Sequence, residues 1–227
     1  MIFDSGIWKE DLKTELESLR HFLDITDLNF DAEYEETEDS EDRDVYEVVF
    51  IKLQKFTIYT SIVIRKMIES KRLSDELEQM SFAVSVHPKI IEDIVNKYSL
   101  SEGIETIYDY NNSTESTINL KKLTDMLIHS FIFQPKFDWH IDDESLPDDE
   151  AELIASKVLG FYFNSDWSKD KHLYCIDLDT YFEIVNIVIT DRVVYYSTDV
   201  KGNVLIKSSS FGKRPDLDAR NRSYTIG

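Results

Sequence analysis

Eighteen of the 45 acidic residues in this 227-residue chain fall in two short runs, and those runs limit what the chain can fold into. Between Asp31 and Glu47 ten carboxylates are offset by the single cation Arg43, and between Asp138 and Glu152 there are eight more. Like charges at that density repel and carry too little apolar surface to offset the entropy of ordering. Residues 31–44 are therefore expected as a solvated acidic loop and 138–152 as an acidic linker. Packed structure has to come from the segments around them.

Those segments have legible periodicities. Trp8, Leu12, Leu16, Leu19 and Leu23 predict a helix over about 8–23. Val49, Leu53, Phe56, Val63 and Met67 predict a long one over about 45–71. Ser74 reads as an N-cap for a helix near 75–83, and Pro88 as the first turn of another over 88–98. A further helix is expected over about 118–131, capped by Ser116 or Thr117. Beyond residue 131 the character changes. Val158–Phe163 and His172–Ile176 read as a strand pair, Asp179–Ile189 as a helix, and Val193–Ser197 with Asn203–Ser208 as a hairpin. The tail from Gly212 is polar and expected to fray. The fold class read from this is α+β, with a helical domain over 1–135 and, over 136–227, an acidic linker plus a small antiparallel sheet with one helix.

Composition removes several function classes. At 42 % hydrophobic and 12 % aromatic the chain can fill a core, but its net charge of −20 opposes a wholesale grip on a phosphate backbone. Cys175 is the single cysteine, which excludes an internal disulfide; among strand-like apolar neighbours it reads as a buried structural thiol. Six scattered glycines form no phosphate-cradling loop, and no Cys-x-x-Cys, His-Glu-x-x-His or Gly-x-Ser-x-Gly pattern occurs. No cofactor and no metal site is expected; the acidic 138–152 run lacks the glycine and alternating ligands of a calcium loop. His21, His87, His140 and His172 are isolated in sequence and are expected to do no chemistry. The N-terminal residues lack a basic and apolar leader, and no stretch has the roughly 18 apolar residues of a membrane span. The expectation is a cytosolic protein without membrane contact.

One constellation suggests chemistry. On a helical wheel started at Leu120, Leu123, Leu127 and Phe131 form one apolar stripe, while Lys122, Asp125 and His129 share the opposite face. Asp125 and His129 are i, i+4 neighbours, so the carboxylate could orient the imidazole as a general acid or base. Ile118 and Ile132 would lie on that face too, implying that a partner covers it.

The run Thr124-Asp125-Met126-Leu127-Ile128-His129 resembles the motif of the HEPN superfamily, a helical fold that includes many prokaryotic ribonucleases of toxin and antiviral systems. The acidic and His positions match; Thr124 stands where the family has Arg. The resemblance implies a helical dimer with motif helices facing each other and, in active members, an RNA-cleaving cleft. Without the Arg, the cation beside the scissile phosphate is missing. The expectation is therefore a non-catalytic accessory or regulatory protein that binds protein partners as a homodimer. The alternative is a metal-independent RNA endonuclease using His129, Asp125 and Lys122 or Arg65. A third reading is an acidic nucleic-acid mimic.

Overall fold

The computed structural model describes residues 5–28, 45–141 and 153–209. The acidic stretch 31–44, the run 142–152 and the tail from Gly212 lie outside the described residues. Five helices are described: α1 (Ser5–Ile25), α2 (Val45–Glu69), α3 (Asp75–Gln79), α4 (Leu120–Ile128) and α5 (Leu178–Thr190). The strands are β1 (Ser81–Pro88), β2 (Thr114–Asn119), β3 (Ser130–Ile141), β4 (Leu153–Ser165), β5 (His172–Asp177), β6 (Val193–Thr198) and β7 (Val204–Ser209). The fold class is α+β.

The first five strands form one antiparallel sheet in the order β2-β1-β5-β4-β3. β6 and β7 form a separate hairpin, as the spacing around Lys201-Gly202 predicts. The strand pair expected from Val158–Phe163 and His172–Ile176 is present: Phe161 lies opposite Ile176, and Phe163 opposite Tyr174. The division expected at residue 135 falls inside β3, and strands from both sides of it share the sheet.

The long helices form where the apolar spacing places them. Leu12, Leu16 and Leu19 of α1 are buried, as are Val49, Leu53, Phe56, Val63 and Met67 of α2. Val49 packs with Leu28 and Ala155; the others meet Phe82, Val84, Phe133, Phe161 and Phe163 on one face of the sheet, and α5 adds Tyr181, Phe182, Ile184 and Val185 to the same core. Each such side chain fully withdrawn from water contributes on the order of 1.5–3 kcal/mol. The other face is covered by the irregular segment 89–113, whose Val95, Ile107 and Tyr108 pack on Ile132 and Leu173. Gly160 on β4 is required by this pairing, because a Cβ there would lie 2.3 Å from the Ile176 carbonyl oxygen.

Three expectations are corrected. Ser74 does cap α3, accepting the Leu77 N–H, but the helix stops at Gln79 instead of running to 83. From Ser81 the sequence alternates, with Phe82 and Val84 inward, and that period of two makes a strand. Pro88 closes β1 opposite His172 and starts no helix; the residues after it hold only two short 3-10 turns, at Ser99–Glu102 and Ile104–Thr106. The expected helix over 118–131 is trimmed at both ends. Asn119 is its cap, accepting the Lys122 N–H at 2.8 Å, and Phe131 belongs to β3.

Candidate functional site

The trimming of α4 takes apart the constellation expected on it. The stripe holds: Leu120, Leu123 and Leu127 are buried. Its polar face does not act as one unit. Asp125 turns to α2, where Arg65 Nη1 lies 2.9 Å from Oδ1 and 3.1 Å from Oδ2. Arg65 Nε also reaches Glu69 at 3.0 Å. His129 is the exposed C-cap residue, tied to Asp125 by its own backbone N–H donating to the Asp125 carbonyl at 3.2 Å. Ile118 and Ile132 are buried in β2 and β3, so the helix face carries neither, and the inference of a covered dimer face from them falls. Thr124 is buried and donates to the Lys121 carbonyl, so a long cation at this position would point into packing.

Lys122 points elsewhere, to β5. Its ammonium donates to the Tyr174 hydroxyl at 3.2 Å, and that oxygen lies 2.8 Å from His172 Nε2. The Tyr174 hydroxyl thereby links the ammonium to the imidazole, accepting from Lys122 and sharing a hydrogen bond with Nε2. Burial, with Lys122 and Lys171 nearby, holds the His172 pKa below the usual imidazole range. His172 thus belongs to a defined polar relay, although its sequence surroundings gave no sign of it.

The remaining polar groups of the sheet are packing. His87 Nδ1–H donates to the Asp109 carbonyl at 3.0 Å, and its ring meets Tyr110 and Tyr162 edge-on. Burial pushes Tyr162 up to about 12 and Cys175 up to about 11, so both stay protonated at neutral pH. Cys175 is a buried structural thiol, as its neighbours predict.

Two concave features were not legible in the sequence. The first is an apolar groove of about 640 Å³ along α1 and α2, lined by Trp8, Tyr59, Ile62, Val63 and Met67 with Lys66 and Arg72 beside them. Tyr59 also borders a second hollow farther along the same helix pair, with Phe22, Phe56, Lys52 and Lys55. Tyr59 donates to Asp11 across the helix pair, and partial burial together with that bond raises its pKa. Trp8 is 38 % exposed and Ile62 43 %, high values for large apolar side chains.

The second is a cleft of about 830 Å³ where the start of α1, the end of α2 and the end of α5 meet. Lys9, Lys71, Arg72 and Arg192 line it, with Glu10 and Asp191. The Asp191 carboxylate is engaged on its far side by the Ser74 N–H and hydroxyl, and Lys9 Nζ donates to the Asp191 main-chain carbonyl. Desolvation, with Arg192 adding like-charge repulsion against an opposing pull from Asp191, lowers the Lys9 pKa. These cations lie as far apart in sequence as Lys9 and Arg192, so no local motif announces them. The neighbouring pair Lys71-Arg72 after a long helix was the single available signal.

Among the described residues no group of His, Cys, Asp and Glu is arranged to hold a metal ion, and no helix is long and apolar enough to cross a membrane. No protein-family model matches the chain, and comparison with curated proteins and with solved structures gives no match.

Proposed function

We propose that this protein is a non-catalytic accessory protein that acts by binding a protein partner, and that the α1–α2 groove is where the partner docks. The observation that carries this reading is the exposure of Trp8 and Ile62 on the walls of one apolar groove. Scattered exposed apolar residues are ordinary, but a contiguous set lining a groove between two helices marks an interaction surface. From Trp8 to Phe22 along α1 is roughly 21 Å at the helical rise, which fits about four turns of a bound helix. Lys66 is paired with Glu69, but Lys52 and Lys55 outnumber Glu15 at the far end, favouring an amphipathic helix with an acidic flank there. Display selection of helical peptides on the folded protein tests this. Selected peptides should carry apolar anchors at i, i+3 or i+4 spacing with an acidic flank, and should lose binding to Ile62→Glu while keeping it to His129→Ala. Peptides that bind Ile62→Glu as well as the parent protein overturn the reading. Light scattering of the same variants separates a foreign partner from a second copy of this chain.

A second reading, an HEPN-like RNA endonuclease, is favoured by one feature. Arg65 supplies a guanidinium beside Asp125, in compensation for the Thr124 that occupies the motif's Arg position. In that reading His129 is the acid/base group and Arg65 the cation at the phosphate.

A further inference from the structure

We propose that the cleft between the start of α1, the end of α2 and the α5–β6 junction is a binding site for a small phosphate-bearing anion, held by Lys9, Lys71, Arg72 and Arg192. The local charge is the reverse of the global one. The chain carries a net −20, yet four cations line this one cleft against two carboxylates, Glu10 and the Ser74-bonded Asp191. Its volume of about 830 Å³ lies within the roughly 300–1,000 Å³ typical of small-molecule sites.

The local charge helps select the ligand class. Four cations against two carboxylates leave a cationic excess confined to one hollow, which suits a compact di- or triphosphate. Burial is the main reason the Lys9 ammonium is disfavoured, and an anion in the cleft beside it would restore the charged form.

Lys71 carries an independent sign of function. It follows the end of α2 with φ +58°, while the Arg72 N–H reaches back to the Met67 carbonyl at 2.8 Å. That pattern ends a helix with a left-handed residue, a position where glycine is normally favoured. A lysine held there retains a cation at the cleft edge at the cost of backbone strain.

The site is independent of the α1–α2 docking reading, although the two hollows share Ser5, Ser70 and Arg72 at their junction. Calorimetric titration of the whole protein with inorganic pyrophosphate and with ADP, at fixed ionic strength, tests it. One equivalent should bind, with Arg192→Glu weakening affinity about tenfold or more. Lys97→Glu, on the segment covering the opposite sheet face, should leave affinity unchanged. Lys71→Gly should weaken binding while raising the thermal midpoint by about 2–4 °C, since it removes strain. Unchanged circular dichroism confirms that Arg192→Glu is folded. Absence of binding to both probes at millimolar concentration overturns the proposal. So does equal loss in Lys97→Glu, which would mark a diffuse charge effect, or binding to phosphatidylglycerol vesicles without binding to either soluble probe.

Discussion

The Asp191 carboxylate grips Ser74 at two points, accepting its backbone N–H at 2.9 Å and its hydroxyl at 2.7 Å. Both residues are buried, and they join the end of α5 to the cap of α3 across 117 positions of sequence. The Ser74 oxygen meanwhile accepts the Leu77 N–H at 3.3 Å, so one hydroxyl serves as cap and as donor. Hydrogen bonds to a charged group are worth about 1.5–3 kcal/mol each, and a buried donor left without a partner costs more than the mean bond. Asp191→Ala should therefore destabilise by about 3 kcal/mol and Ser74→Ala by about 1–2 kcal/mol. Urea unfolding of both and of the double variant checks this; fully additive losses would show that the two side chains do not interact.

His172 makes stability depend on pH. Its folded pKa lies below the ordinary imidazole value of 6.5, so below that value the unfolded chain binds the proton more readily. The contribution is present above pH 6.5 and is lost as pH falls from there through the folded value. His172→Gln, which does not titrate, should flatten this part of the profile relative to the parent protein. A parallel profile for the variant would place the titration elsewhere.

Cys175 should be unreactive while the protein is folded. With its thiol pushed up to about 11 by burial, the thiolate at pH 8 is roughly a thousandth of the population. Iodoacetamide should leave it unmodified under native conditions and modify it completely in denaturant, as read by intact mass. Rapid native labelling would show that the β5 packing opens.

Gly160 and Gly202 should respond differently to alanine. At Gly160 a Cβ meets the Ile176 carbonyl at 2.3 Å, so β4 and β5 must separate. At Gly202 the space is open, and the strain arises from φ +82° alone. Gly160→Ala should cost more than 2 kcal/mol and Gly202→Ala about 1 kcal/mol. Equal losses would contradict the register.

The endonuclease reading is tested by RNA itself. Purified protein should leave single-stranded and structured RNA intact, because the net charge of −20 repels the substrate. Cleavage that vanishes in both His129→Ala and Arg65→Ala would promote that reading over the binding one.

Local order was settled by local chemistry wherever a single element buries a continuous stripe. Leu12, Leu16 and Leu19 announce α1, and Val49 to Met67 announce α2, because a period of 3.6 residues against one core needs no knowledge of the rest of the fold. The β4–β5 pair and the β6–β7 hairpin were legible for the same reason, since each pairs segments close in sequence. What failed was decided by distant partners. The alternation from Ser81 becomes a strand where β2 and β5 pair with it, and Phe131 leaves α4 because β4 pairs with Ser130 onward. Asp125 faces Arg65 and Lys122 faces Tyr174 because α2 and β5 lie on different sides of one short helix. The cationic cleft depends on tertiary structure most completely. Lys9, Lys71 and Arg192 are ordinary surface cations in the sequence, and only the meeting of three helix ends turns their charges toward a common space.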